Sequence, residues 1–120
     1  MNLGKFSLSL NVKDLARSLD FYEKMGFRVI DGGHQDPSFK DTATMKWRLL
    51  ENESVRLGLF QGMFPENILT FSPHRVVSVQ QELQARGLVF VQEAVEDPIS
   101  GHATAMLVDP DGNEILFDQE

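Results

Sequence analysis

The sequence predicts an α+β fold assembled from two βαβββ modules, and three observations predict it. Phe6 to Ile30, FSLSLNVKDLARSLDFYEKMGFRVI, alternates for seven residues, changes to a helical period, then closes on a glycine and a second short strand. Asn67 to Val91, NILTFSPHRVVSVQQELQARGLVFV, repeats that layout at a constant shift of 61 residues, with Gly87 standing for Gly26. Each half then ends in two further strands, and a shift of 58 relates Leu57 to Ile115 and Leu59 to Phe117. A unit of this size cannot bury its own apolar face, so two copies imply one shared core or a pairing across chains. At 120 residues the expectation is one domain, with module one over 5–61 and module two over 67–119.

In the first strand Leu8, Leu10 and Val12 take one face and Ser7, Ser9 and Asn11 the other. Asp14 is the expected N-cap of the following helix, because its carboxylate can accept from free amides of the first turn. Leu15, Leu19 and Tyr22 recur at helical spacing, with Phe21 and Met25 widening the stripe. Gly26 falls where a left-handed C-terminal cap belongs, and Phe27 to Ile30 reads as a strand. Asp31 to Thr44 has loop composition and a length typical of a lid. Met45–Leu50 and Val55–Gln61 are strands joined through Glu51-Asn52-Glu53-Ser54. A simple hairpin there places Met45, Trp47 and Leu49 on one face with Arg56, Gly58 and Phe60. Gly62 to Glu66 links the halves. In the second copy Leu69 and Phe71 take the roles of Leu8 and Leu10, and Val76, Val79 and Leu83 form the helical stripe. Leu88–Gln92 is the next strand, Glu93–Gly101 a shorter loop, and Ala103–Val108 and Glu114–Phe117 the final pair. The Asp109-Pro110-Asp111-Gly112 turn joins that pair.

Composition excludes several classes. A net charge of −7 disfavours a nucleic-acid partner, whose phosphates attract basic surfaces. No apolar run reaches the roughly 20 residues of a bilayer span, and MNLGKFSLSL has no signal-peptide pattern. Without cysteine there is no disulfide framework, thiolate metal site or thiol nucleophile, and a cytoplasmic location fits. No serine elbow, phosphate loop or dinucleotide fingerprint occurs; Gly32-Gly33 lacks the rest of any such pattern.

NVKDLARSLDFYEKMGF near the start, QQELQARG in the second helix and DPDGNEILF at the end resemble the vicinal oxygen chelate superfamily of glyoxalase I, bleomycin-resistance proteins and extradiol dioxygenases. The resemblance covers nearly the whole chain. It implies two modules whose mixed sheet curves around a cleft, helices on the outer faces, a homodimer, and a small-molecule ligand. Metal-dependent relatives place four ligands on four strands; carried over, those positions are Ser7, Gly58, Ile68 (with Asn67 the nearest alternative) and Leu116. Imidazole, thiolate or oxygen donors are needed to hold a divalent ion, so no metal and no cofactor is expected. His34, His74 and His102 have no close spacing and read as solvated ends of loops and elements, with ligand gating the alternative for His34 and His102 in the mouth loops.

The cleft-lining residues expected to bind a ligand are Ser7, Ser9, Asn11, Trp47, Arg56, Phe60, Thr70 and Glu114. Trp47 and Phe60 read either as an aromatic wall for a planar or cationic ligand or as ordinary core. Arg56 and Glu114 occupy equivalent positions of the two modules, and such charges are costly inside unless paired or used by a ligand. The expected function is therefore metal-free small-molecule binding of the bleomycin-resistance type. The alternatives are a lyase, isomerase or dioxygenase with a displaced metal site or Arg56/Glu114 acid–base chemistry, and a subunit or regulatory module without a ligand of its own.

Overall fold

A computed structural model describes residues 1–120. The elements are β1 (Lys5–Val12), α1 (Leu15–Lys24), β2 (Arg28–Gly32), β3 (Lys46–Glu51), β4 (Arg56–Gln61), β5 (Ile68–Ser72), α2 (Val76–Ala85), β6 (Thr104–Val108) and β7 (Glu114–Asp118). This is an α+β fold with both parallel and antiparallel strand pairs. The chain divides into two compact units, Ser7–Asn67 and Met1–Phe6 with Ile68–Glu120.

In the first unit the strands run β2-β3-β4-β1, with β1 parallel to β4 and the other pairs antiparallel. Alternation buries one side against α1: Val12, Leu15, Phe27, Leu50, Leu57 and Leu59 form the core, and Leu8, Leu10, Leu19, Tyr22 and Val29 pack on it. Leu50 and Leu59 are fully buried, each contributing about 1.5–3 kcal/mol by removal from water. Phe21 and Met25 do not widen this stripe. Each is 60% exposed, because their helical angles fall to one side of the stripe by which Leu15, Leu19 and Tyr22 meet the core.

The second unit orders its strands β5-β7-β6. Val76, Val79 and Leu83 of α2 pack with Phe90, Ala103, Ala105, Leu107 and Phe117. The strand expected over Leu88–Gln92 is reduced to an isolated bridge between Gln92 and Met106. Phe90 is drawn into the core while Val89 is 85% exposed, and the Val91 and Gln92 amides both donate to the Met106 carbonyl. Two amides on one acceptor break the ladder spacing that a continuous strand needs.

The helix ends repeat in detail. Gly26 (φ +99°) and Gly87 (φ +93°) are left-handed C-terminal caps. Gly26 N–H donates to Glu23 O and Phe27 N–H to Tyr22 O; Gly87 N–H donates to Gln84 O and Leu88 N–H to Leu83 O. At the other end the Asp14 carboxylate accepts from Arg17 N–H, as expected, whereas Arg75 gives α2 no side-chain cap. A glutamine then completes each helix. Gln61 Oε1 accepts from Leu15 N–H at 2.8 Å, and Gln119 Oε1 accepts from Val76 N–H at 3.1 Å. Each satisfies a first-turn amide that has no partner within its own helix.

Candidate functional site

The side of the first unit's sheet turned away from α1 carries three transverse rows. Strand register fixes them, because residues opposite one another project to the same side. Ser7, Arg56, Glu51 and Arg28 form a charged row; Ser9, Gly58 and Leu49 form a small and apolar row; Asn11, Phe60 and Trp47 form the third. Six of the expected site residues (Ser7, Ser9, Asn11, Trp47, Arg56 and Phe60) thus share one face. Thr70 and Glu114 lie on the side of the second unit's strands turned away from α2, with Thr70 opposite Leu116 and Glu114 opposite Val108.

The third row is aromatic beyond its own strands. Trp47 stacks on Phe60 with centroids 6.1 Å apart and planes within 5°, and Phe39 stacks on Trp47 at 5.6 Å. Phe64 closes on Phe60 at 5.3 Å, which makes four rings in succession. Trp47 Nε1 donates to the Phe39 carbonyl at 2.7 Å, so the indole dipole is satisfied inside the stack. Phe60 also folds its ring back over Gly58. A Cβ on Gly58 would collide with the ring's Cε2 and lie 3.1 Å from Cζ. A glycine interrupts the side-chain cover of a strand, and here an aromatic ring restores it.

The loop that brings Phe39 to the stack is tethered at several points. Asp41 accepts from Trp47 N–H at 3.2 Å and from Arg48 Nη1 at 2.8 Å, while its own amide donates to Gly33 O. Gly33 is required there, since a Cβ would run into Asp41. Burial works to raise the Asp41 carboxyl. The Arg48 and Trp47 hydrogen bonds, with the charges of Arg48 and His34, nevertheless hold it below the usual aspartate value.

Arg56 pairs within its own unit: its Nε lies 3.4 Å from Glu51 Oε2, and Arg28 Nη2 lies 2.6 Å from Glu51 Oε1. Arg28 first, then Arg56, holds the Glu51 carboxyl below the usual glutamate value against the effect of burial. Two guanidiniums on one carboxylate leave a surplus positive charge at this end of the face. Sequence reasoning missed Arg28, Glu51, Phe39 and Phe64. Glu51 was legible, since the hairpin register that pairs Trp47 with Phe60 also puts Glu51 opposite Arg56; assigning it to the turn hid it. Phe39 and Phe64 sit in loops, where no periodicity signals direction.

The histidines are dispersed. His74 pairs with Glu120 at 3.1 Å and His102 with Asp118 at 2.9 Å. A concavity of about 580 Å³ in the second unit is lined by Gly4, Lys5, His74, Arg75, Ser78 and Glu82 among others. Several of its charges are already matched, Arg75 with Glu96 at 2.9 Å and Glu82 with Arg86 at 3.1 Å, and it contains none of the eight expected site residues.

Residues 6–117 match the sequence profile of the Glyoxalase/Bleomycin resistance protein/Dioxygenase superfamily. The chain belongs to this superfamily. Within it, similar solved structures include a superfamily member from Vibrio splendidus 12B01 (17% identity, 97% of this chain and 98% of that one, TM-score 0.63). Methylmalonyl-CoA epimerase from Mycobacterium tuberculosis is 12% identical over 97% of this chain and 85% of its own, with TM-score 0.63. A Streptomyces coelicolor methylmalonyl-CoA epimerase variant in complex with 2-nitronate-propionyl-CoA is 14% identical over 99% and 96%, with TM-score 0.67. At these identities the likeness is one of fold. No curated protein matches the sequence.

The positions that the resemblance assigns to metal ligands are held here by Ser7, Gly58, Ile68 (or Asn67, one residue before it) and Leu116. Glycine, isoleucine and leucine offer no side-chain donor, and one serine hydroxyl does not make a divalent site. No group of three or more His, Cys, Asp or Glu side chains able to hold a metal ion is assembled. The family's metal does not fit these residues. At position 58 the reason is also steric, because the Phe60 ring takes the volume a ligating side chain would enter.

Proposed function

We propose that this chain is a metal-free small-molecule binding protein of the glyoxalase/bleomycin-resistance type. It holds its ligand on the face of the first unit's sheet turned away from α1, through Ser7, Asn11, Trp47, Arg56 and Phe60; Ser9 of that face and Thr70 of the second unit are buried. The observation that carries this reading is the pairing of Gly58 with Phe60. Where a metal-holding relative needs a donor, this chain has a ring, and that ring continues into Trp47, Phe39 and Phe64. A half-exposed aromatic row with polar groups at one end has the make-up of a ligand surface, largely apolar with a few placed polar contacts. Arg56 and Glu51 hold each other as ions, which leaves Arg56 a binding group and not a proton carrier.

A thermal-shift screen tests the reading. A ligand present at about 100 times its dissociation constant stabilises by roughly 2.7 kcal/mol and raises the melting temperature by several degrees. Elemental analysis should find no stoichiometric zinc, nickel, manganese or iron, and chelators should leave the melting temperature unchanged. One transition metal per chain, or turnover of a thioester or hemithioacetal substrate, would instead establish the isomerase or lyase reading. We further propose a homodimer, since β2 and β6 are edge strands in their units and such edges are commonly covered by a partner. Light scattering at micromolar concentration decides that point.

A further inference from the structure

We propose that the ligand is a flat aromatic acid, its ring lying on the Gly58–Phe60 patch and its carboxylate bound by Arg56. The inference rests on the binding reading above and names the ligand class for the same face.

Three observations carry it. First, the aromatic row supplies a flat surface and little affinity for a cation. Trp47, the strongest cation-binding ring, already contacts Phe39 and Phe60, and the nearby carboxylates are matched, Asp41 by Arg48 and Glu51 by Arg28 and Arg56. Asp31, opposite Leu49 at the outer strand, turns its carboxylate to Gly32 N–H at 2.8 Å and towards the Gln35 amide. Second, the charged row is unbalanced in favour of an anion. Glu51 is shared by two guanidiniums, and only Arg56 Nε is engaged, at a long 3.4 Å. The terminal nitrogens of Arg56 therefore remain as donors in the fork geometry that suits a carboxylate. Third, the spacing is right. Arg56 and Gly58 are alternate residues of β4 on the same side, about 7 Å apart along the strand. With the Phe60 ring drawn back over Gly58, the flat surface begins one such step from the guanidinium. That step matches a ring carrying a carboxylate directly or through one bond. Ser7, opposite Arg56 on β1, adds a hydroxyl at the same end.

Gly58 follows as the specificity-determining residue. Any side chain there displaces the Phe60 ring, a side-chain end that can swing aside, so the stack is lost while the strand persists.

The test uses 2-naphthoate as the probe, with the single tryptophan, Trp47, as the reporter and equilibrium dialysis as a second measure. Wild type should bind it saturably and with altered Trp47 fluorescence. Arg56→Gln should weaken it about tenfold or more, the weight of one charge-assisted contact, while binding of uncharged 2-naphthol changes little. Glu51 keeps Arg28 in that variant, so the row survives. Phe60→Leu and Gly58→Ala should weaken both probes, and cyclohexanecarboxylate should fail to compete. Absence of saturable 2-naphthoate binding by wild type, or equal binding by Arg56→Gln, overturns the proposal. If a screen finds other ligands while flat acids fail, this inference falls and the binding reading stands. If no small molecule of any class stabilises the protein, both fall.

Discussion

Where module one sets Trp47 beside Phe60, module two sets Thr104 beside Asp118, and where module one has Glu51 beside Arg56, module two has Val108 beside Glu114. The positions correspond through the 58-residue shift in the last strands, with the module-two hairpin one residue longer, since Leu49 pairs with Gly58 but Met106 with Leu116. The same side of each module's sheet is thus aromatic with surplus positive charge in one and aliphatic, small and acidic in the other. The opposite sides match closely: Leu57 and Leu59 answer Ile115 and Phe117, each set packed on its helix. A face that must bury a helix is limited to apolar residues of fitting volume, whereas the other face has no such duty and can diverge in chemistry.

The largest effects should fall on the faces that match. Leu59→Ala and Phe117→Ala should each cost about 2–5 kcal/mol in denaturant unfolding, because both leave cavities in well-filled cores. A loss below about 1 kcal/mol in either module would show that its helix is not packed as described. Next comes the contrast itself. Giving module one the residue of module two, Gly58→Leu, should cost about 1–3 kcal/mol by forcing the Phe60 ring aside. Combining it with Phe60→Ala should restore part of that loss, a non-additivity that a double-mutant cycle measures.

Smaller effects are expected at the two glutamine caps. Gln119→Ala should cost about 1 kcal/mol and Gln61→Ala less, since Gln119 also donates to the Gly101 carbonyl at 2.8 Å, and Asp14 caps α1 at Arg17 while Arg75 offers α2 no side-chain bond. Equal losses would mean that neither the Gly101 bond nor the uncapped start of α2 adds to the role of Gln119. The smallest effect concerns Asp41. Its folded-state pKa is depressed, so its contribution is complete above the unfolded value of about 4 and is lost as pH falls through the folded value beneath it. Amides of the 33–44 loop should lose exchange protection across that acid range, and Asp41→Asn should show the loss at neutral pH. Protection that persists in Asp41→Asn would mean that the backbone bond to Gly33 and the Trp47 bond to the Phe39 carbonyl hold the loop without the carboxylate.

Much of the fold was legible because strand alternation, helical spacing and the two cap glycines reported independently on the same boundaries. Leu88–Gln92 misled because LVFV has strand composition, and nothing in four residues says that Phe90 will turn inward and break the ladder. Phe21 and Met25 misled for the opposite reason: apolarity next to a stripe does not reveal how wide the sheet beneath it is. Alternation put Ser7, Ser9, Asn11, Arg56 and Phe60 on one face of the sheet, where the strand register also has them. It was silent on Phe39 and Phe64, whose directions depend on loop tethers such as Asp41, and on the Phe60 ring, whose rotamer is set by the empty space at Gly58.

The glutamine caps also order events on a growing chain. Gln61 reaches back 46 residues to Leu15 and Gln119 reaches back 43 to Val76, so each helix receives its first-amide partner only from the end of its own module. Module one has that partner as soon as residue 61 leaves the ribosome, before the Asn67–Val91 copy has been made. The second helix must wait, its first amide answered by water, until residue 119 emerges. Against the one shared core expected, each module packs its own helix on its own core and carries its own closing residue, so it can be finished one copy at a time.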